Sequence, residues 1–266
     1  MANALYVWGL ARASGRRVVL RIEDHDRQRS RAVFDVAILE DLAWLELAAD
    51  TEPVRQSDDW APYDAALDRL RGVGIAYACD CTRSTFAAWA RESGRAWSGG
   101  GCPGGCRERG VDERPGVGTR VVLGAGTEAW DDGRLGPQRD VPNREGDLLV
   151  RDRHGNWTYP FCVVVDDMRH EIDLVVRGED LLDATARQVR LGRLLGREQP
   201  PAFYHHPLLR KASGAKLSKS DGDSGVRDLR SRGLTPEDVL GEAAAAVGLL
   251  EGPRPLAAAD VPELFV

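Results

Sequence analysis

Lysine is nearly absent from this 266-residue sequence. Three of its 36 basic residues are lysines, Lys211, Lys216 and Lys219, and the remaining 33 are arginines. All three lysines lie within residues 210–220. A lysine ammonium is a compact charge on a flexible stem, whereas an arginine guanidinium is a planar fork. The segment is therefore expected to need point charges, as on phosphate groups, although a solvated surface loop is the alternative.

The sequence lacks the features of several protein classes. No apolar run approaches the length of a membrane span, and the first apolar stretch lacks the basic flank of a secretion signal. With 42% hydrophobic and 29% charged residues, the composition is neither disordered nor fibrous. A formal net charge of −6 argues against overall attraction to nucleic acid but leaves room for a local basic face, for example at Arg187, Arg190 and Arg193. We expect a cytoplasmic protein that does not bind membranes.

Cysteines are also few, but four of the five lie between positions 79 and 106. Cys79 and Cys81 form one close pair, and Cys102 and Cys106 form another. Four thiolates suit tetrahedral zinc, and the loop-rich segment around them has little apolar material to form a core. Free thiols or redox-active disulfides are the alternatives. Cys162, within an apolar run, is expected to be a small buried residue.

The order of apolar patterns predicts an α/β protein. Helices are expected over residues 1–13, 34–47, 63–70, 180–195 (capped by Asp180) and from 236 after an N-cap at Thr235. Short strands are expected over residues 17–22, 75–77, 119–123, 147–152, 161–165 and 172–176.

Polar residues follow two of these strands. Glu23 stands at the carboxyl end of the first strand, where open α/β sheets bind ligands, and its carboxylate suits an ammonium group. Arg177 ends a later strand and suits a carboxylate, or it forms a surface ion pair with Glu179 or Asp180.

Other polar residues near these strands are more ambiguous. Asp24 and Asp26 are expected to cap a helix or to solvate a turn. His205 and His206 precede the lysine segment; contact with phosphate is conceivable, but a structural role is the simpler interpretation.

Together these segments resemble the glutamyl-tRNA synthetase family of class I aminoacyl-tRNA synthetases, and most closely its short glutamyl-Q tRNA(Asp) synthetases. The motifs, in the family's order, are LRIEDHD (20–26), ILEDLAWL (38–45), QS (56–57), YACDCTR (77–83), VVVDD (163–167), VRGEDL (176–181) and KLSKS (216–220).

The resemblance implies a Rossmann-type parallel-sheet catalytic domain with an inserted zinc-bearing subdomain. It assigns Glu23, Tyr159 and Arg177 to the glutamate substrate. It assigns Lys216, Ser218 and Lys219 to ATP, with the two lysines as catalytic residues. It also implies one structural zinc on Cys79, Cys81, Cys102 and Cys106, where Cys102 replaces a tyrosine of the short relatives and is the better zinc ligand.

The implied reaction is activation of glutamate by ATP, bound with Mg²⁺, followed by transfer to a tRNA. For the short relatives the acceptor is the queuosine base of tRNA(Asp). A glutamyl-tRNA synthetase fragment, or a relative that binds tRNA or another ligand without catalysis, is the alternative. A monomer is expected.

Four regions follow from the resemblance: 1–78 and 147–222 form the catalytic domain, 79–146 the insertion, and 223–266 a short helical segment. Only 46 residues follow Ser220, whereas an anticodon-binding domain would need about a hundred. This favours the short relatives over the full-length synthetase.

The beginning of the sequence departs from the family pattern. The family opens with a strand and a His-x-Gly-His-type signature that binds ATP, and this sequence opens within the helix that follows. A native start upstream, which we favour, a repurposed relative, or a truncated chain would each explain this. Without that strand, the sheet is expected to contain a gap.

Overall fold

The computed structural model describes residues 1–26, 30–94, 102, 105–209 and 225–266. The helices are α1 (Ala2–Ala13), α2 (Ala32–Trp44), α3 (Ala61–Gly72), α4 (Arg83–Ser93), α5 (Gly105–Glu108), α6 (Tyr159–Arg169), α7 (Thr185–Leu194), α8 (Val226–Ser231) and α9 (Pro236–Ala246). The strands are β1 (Arg21–Ile22), β2 (Val54–Arg55), β3 (Ala76–Cys79), β4 (Gly118–Val121), β5 (Glu128–Asp132), β6 (Gly136–Asp140), β7 (Leu148–Arg151), β8 (Leu174–Gly178) and β9 (Ala202–His206).

The strands form three sheets among the described residues. β1 and β2 pair in parallel, and β3, β4 and β7 form an antiparallel sheet. The third sheet has the order β6-β5-β9-β8, in which β5, β9 and β8 are parallel and β6 is antiparallel. The α/β class with parallel strands is thus confirmed. β5 and β6, which the sequence places in an insertion, share a sheet with β8 and β9 of the catalytic part.

Two sequence predictions of secondary structure are wrong. The apolar run 161–165 is not a strand but part of helix α6, because a short run buried on every side is equally compatible with a helix, and Pro160 fits the first helical turn. Asp180 does not cap a helix. A 3₁₀ segment spans Glu179–Ala184, and α7 begins only at Thr185.

Helix α2 forms as expected, but the apolar residues whose spacing predicts a buried face are not all buried. Phe34 and Ile38 are 54% and 46% exposed, whereas Leu45, just beyond the helix, is buried. The helix therefore contacts the core through its C-terminal end. In contrast, α9 begins as predicted, with Thr235 accepting a hydrogen bond from the backbone N–H of Asp238.

Two large apolar cores form among the described residues. One joins α3, α6 and α7 to the sheet β3-β4-β7, around Tyr63, Leu67 and Phe161. The other joins α1, α9 and the C-terminal segment, around Leu5 and Leu240. No helix within the described ranges is both long and apolar enough to cross a bilayer.

A cavity of about 550 Å³ lies between β1 and β8. It is bordered by residues 16–21, residues 173–177 and helix α1. Although both strands are described, no ladder joins β1 to β8. The side-chain amide of Asn3 donates to the carbonyl of Val176 at 3.3 Å, on the edge of β8. The two strands therefore border the cavity without pairing across it.

Candidate amino-acid site and metal centre

The cavity between β1 and β8 brings together Glu23, Tyr159 and Arg177, which are widely separated in sequence. Glu23 follows β1, Tyr159 is the first residue of α6, and Arg177 lies near the end of β8. The ends of two strands and the start of a helix thus line one side of the same space. This arrangement agrees with the expectation that ligands bind at the carboxyl ends of parallel strands.

Arg177 is 6% exposed. Its guanidinium donates to the His205 ring, the Gln188 side chain and the Thr185 hydroxyl, at 3.1, 2.5 and 2.8 Å. Within the described part of the chain, no carboxylate lies at ion-pair distance from it. The alternative of a surface ion pair is therefore wrong. Burial lowers the pKa of Arg177 below that of a free guanidinium, and an anionic ligand would restore the lost solvation of the charge.

Glu23 provides a negative charge at the cavity, and Arg21 holds its carboxylate in place. Arg21 donates to Glu23 at 3.2 Å and to Asp167 at 2.9 Å. Burial disfavours the charge of Arg21, but the carboxylates of Asp167, Glu23 and Asp166 outweigh this effect and raise its pKa. Glu23 keeps 36% of its side chain exposed, so its carboxylate is accessible from the cavity. Burial, followed by the charge of Glu23, raises the pKa of Tyr159, which keeps its phenol protonated.

Asp24 has a structural role, but not as a helix cap. Its carboxylate accepts from the backbone N–H and the hydroxyl of Ser57 at 2.9 and 2.6 Å, and from Arg55 at 3.0 Å. These bonds fasten the end of β1 to the end of β2. They also position Gln56, which donates to the fully buried Asp166 at 2.7 Å.

Sequence reasoning missed a buried pair behind Arg177. His205, on β9, approaches Asp132, on β5, with 2.5 Å between Nδ1 and Oδ2, and both side chains are fully buried. Burial is the main cause that lowers the pKa of His205, which keeps it neutral. Burial alternates along β5 and places Asp132 on its inner face, but the residues Glu128–Asp132 do not alternate between apolar and polar, so the sequence offered no signal for this pair.

Four cysteines converge as predicted. The sulfurs of Cys79, Cys81, Cys102 and Cys106 all lie within 4.8 Å of one another. The Sγ atoms of Cys81 and Cys102 are 3.9 Å apart and those of Cys81 and Cys106 are 3.2 Å apart, which are not disulfide distances. Four thiolates around a tetrahedral zinc would lie about 3.8 Å apart, given Zn–S bonds of about 2.3 Å. The donor set therefore fits such a metal.

Two arginines donate to this sulfur cluster. Arg120, which is buried, donates to Cys79 Sγ at 3.2 Å, and Arg109 donates to Cys106 Sγ at the same distance. The interaction with Cys102 and burial raise the pKa of the Cys79 thiol, and the charge of Arg120 opposes this rise. Cys162 is fully buried in α6, as expected of a small apolar residue. The ATP candidates Lys216, Ser218 and Lys219 lie outside the described residues.

The proposed basic RNA-binding face is not supported for two of its arginines. Arg190 and Arg193 both pair with the buried Glu128, at 2.5 and 2.8 Å. Arg187 donates to the carbonyl of Pro142.

Comparison with known proteins agrees with this architecture. The family model of the catalytic domain of class I tRNA synthetases (E and Q) matches residues 2–97 and 127–244. A glutamyl-Q tRNA(Asp) synthetase of Symbiobacterium thermophilum is 38% identical over 99% of this chain and 86% of its own length. The chain therefore belongs to the glutamyl-Q tRNA(Asp) synthetase family of class I synthetases. A second relative, from Nitratidesulfovibrio vulgaris, is 35% identical over 96% of this chain and 84% of its own length.

Solved structures share the fold of this family member. A glutamate tRNA ligase from Elizabethkingia meningosepticum, in complex with its amino acid, superposes with a TM-score of 0.80 at 23% identity. The match covers 98% of this chain, which spans 60% of the length of that ligase. A glutamate-tRNA synthetase from Elizabethkingia anophelis gives the same TM-score at 22% identity.

Proposed function

We propose that the protein activates glutamate with ATP to form glutamyl-adenylate and transfers the glutamyl group to a tRNA, at the queuosine base of tRNA(Asp). The observation that carries this proposal is the buried guanidinium of Arg177, with only neutral partners among the described residues, at a cavity that also contains Glu23. A cationic and an anionic group in one cavity suit an amino acid with an additional carboxylate.

Within the proposal, each residue has a defined task. Arg177 and Tyr159 bind the side-chain carboxylate of glutamate, and Glu23 binds its ammonium group. Lys216, Ser218 and Lys219 contact the phosphates of ATP, which binds with Mg²⁺. The α-carboxylate attacks the α-phosphate and pyrophosphate leaves, so the protein contributes alignment and charge stabilisation rather than a covalent intermediate.

The cysteine cluster is proposed to hold one structural zinc through Cys79, Cys81, Cys102 and Cys106. The metal would crosslink the end of β3 to the segment around α5, where little apolar material is available. We further propose a cytoplasmic monomer with the regions derived from the sequence, except that the insertion ends before β5, because β5 and β6 share a sheet with β8 and β9.

Glutamate-dependent exchange of pyrophosphate into ATP tests the proposal. We expect the protein to catalyse this exchange without tRNA. Arg177→Lys should raise the KM for glutamate at least about tenfold, because an ammonium cannot reproduce the fork of hydrogen bonds. Asp183→Asn, on an exposed side chain of the neighbouring 3₁₀ segment, is the control.

The outcomes separate the candidate functions. Exchange without tRNA, followed by transfer of labelled glutamate to queuosine-containing but not queuosine-free tRNA(Asp), supports the proposal. Strict dependence of the exchange on tRNA would instead indicate a glutamyl-tRNA synthetase. Binding of tRNA without any exchange would indicate a relative that does not catalyse activation.

A further inference from the structure

The hydrogen bonds behind Arg177 form a directed chain. Asp132 Oδ2 lies 2.5 Å from His205 Nδ1, and His205 Nε2 lies 3.1 Å from Arg177 Nε. A carboxylate only accepts hydrogen bonds, so Nδ1 carries the proton of a neutral imidazole. Nε2 is then the acceptor, as the N–H of Arg177 requires. The charge of Asp132 thus selects the tautomer that Arg177 needs.

Asp132 is itself held rigidly by its surroundings. Its Oδ1 accepts from the backbone N–H groups of Arg134 and Leu135, at 3.0 and 2.9 Å, in the turn between β5 and β6. Its Oδ2 also accepts from the backbone N–H of His205 at 3.1 Å. The carboxylate therefore joins a hairpin turn to the strand β9 that lies beside β8.

The imidazole also separates two opposite charges. If Asp132 were paired directly with Arg177, the ion pair would cancel the charge that an anionic ligand needs. Because His205 stands between them, the guanidinium is oriented without being neutralised. The ring of Phe203 lies 5.4 Å from the same guanidinium and limits its position on another side.

We propose that Asp132 is a positioning residue for amino-acid binding: through the Nδ1–H tautomer of His205, it fixes the guanidinium of Arg177 at the cavity. Asp132 does not touch the ligand and acts through His205. This inference rests on the proposed function, because it assumes that Arg177 binds the substrate carboxylate.

The substitution Asp132→Asn tests the tautomer directly. The amide oxygen of asparagine can still accept from the turn, but its NH₂ group then faces His205 Nδ1. The imidazole is expected to move its proton to Nε2, which would face the N–H of Arg177 as a second donor. Nitrogen-15 NMR of the imidazoles should show the Nδ1–H form of His205 in the wild type and the Nε2–H form in the variant.

Kinetics provide the second measurement. In the exchange assay, Asp132→Asn should raise the KM for glutamate at least about tenfold, since a bond to a charged group is lost, and should leave the KM for ATP within about twofold. Asp131→Asn is the matched control, because Asp131 is the neighbouring carboxylate on the exposed face of β5. It should change neither constant.

Three results would overturn the inference. The first is an Nε2–H tautomer of His205 in the wild type, whether or not the protein is active. The second is a normal KM for glutamate in Asp132→Asn. The third is a parallel loss of glutamate binding, ATP binding and the folded circular-dichroism signal, which would make Asp132 merely structural. Absence of exchange in the wild type would instead contradict the proposed function.

Discussion

At the scale of single residues, Asp166 shows how a buried charge connects distant segments. Its side chain is fully buried, and it accepts from Tyr63 of α3 at 2.9 Å and from Gln56 at 2.7 Å. Arg169, one turn further along α6, lies 3.2 Å away. These partners compensate the loss of hydration that burial imposes on the carboxylate. Removal of one donor should therefore be costly although it creates almost no cavity.

The substitution Tyr63→Phe tests this expectation. It should lower the free energy of unfolding by about 1–3 kcal/mol, because one oxygen of a buried carboxylate loses a donor. Urea denaturation at pH 7 measures the difference. Tyr6→Phe is the control: Tyr6 is also buried, but its hydroxyl has no hydrogen-bond partner within the described residues. Equal effects of the two substitutions would contradict the role of the Tyr63 hydroxyl.

At the scale of elements, helix α9 is fitted closely to the chain that follows it. Leu256 donates its backbone N–H to the carbonyl of Glu237 at 3.0 Å, so the C-terminal segment runs along the helix. A Cβ atom added at Gly241 would lie 1.7 Å from the carbonyl oxygen of Arg254. Glycine is required here by close packing of two backbone segments and not by an unusual backbone angle.

Gly241→Ala should consequently destabilise the protein even though alanine is the better helix former. The gain in helix propensity is about 1 kcal/mol, whereas the overlap forces the C-terminal segment to move, and a net loss of about 1–3 kcal/mol is expected. Urea denaturation measures it. Gly72→Ala, at the exposed end of α3 with no atom near the added Cβ, should be neutral or slightly stabilising. A stabilised Gly241→Ala variant would show that the packing is looser than described.

At the scale of the whole molecule, the cysteine cluster forms a unit of its own. Cys79, Cys102 and Cys106 pack with Phe86 in a small core that is separate from the two large ones. The cavity between β1 and β8 does not include this core. A metal bound by this cluster should therefore stabilise its own region without organising the cavity.

Removal of the metal tests this separation. Protein purified under reducing conditions should contain about one zinc per chain by elemental analysis. Chelation should accelerate hydrogen exchange in β3, α4 and α5 but leave α6 and β8 unchanged. Cys106→Ser should lose the metal, whereas Cys162→Ala, at the fifth cysteine, should retain it. Less than about half an equivalent of zinc, or faster exchange throughout the chain, would contradict the prediction.

The sequence by itself determined the family, the α/β class and the identity of the residues that reach the cavity and the sulfur cluster. Ordered motifs carry this information because each combines a strand end or a turn with a chemically specific side chain, as at Glu23, Arg177 and Cys79. It did not determine the secondary structure of residues 161–165, because a short apolar run buried on all sides has no diagnostic period.

Only the tertiary structure decided how these side chains are supported. Asp132 and His205 are 73 residues apart and meet because β5 and β9 are neighbours in one sheet. The same structure showed that Arg177 is buried among neutral partners, and that Arg190 and Arg193 are already paired with Glu128. Local sequence specifies which groups are present, but the pairing of distant strands decides which charges are compensated and which remain available to a ligand.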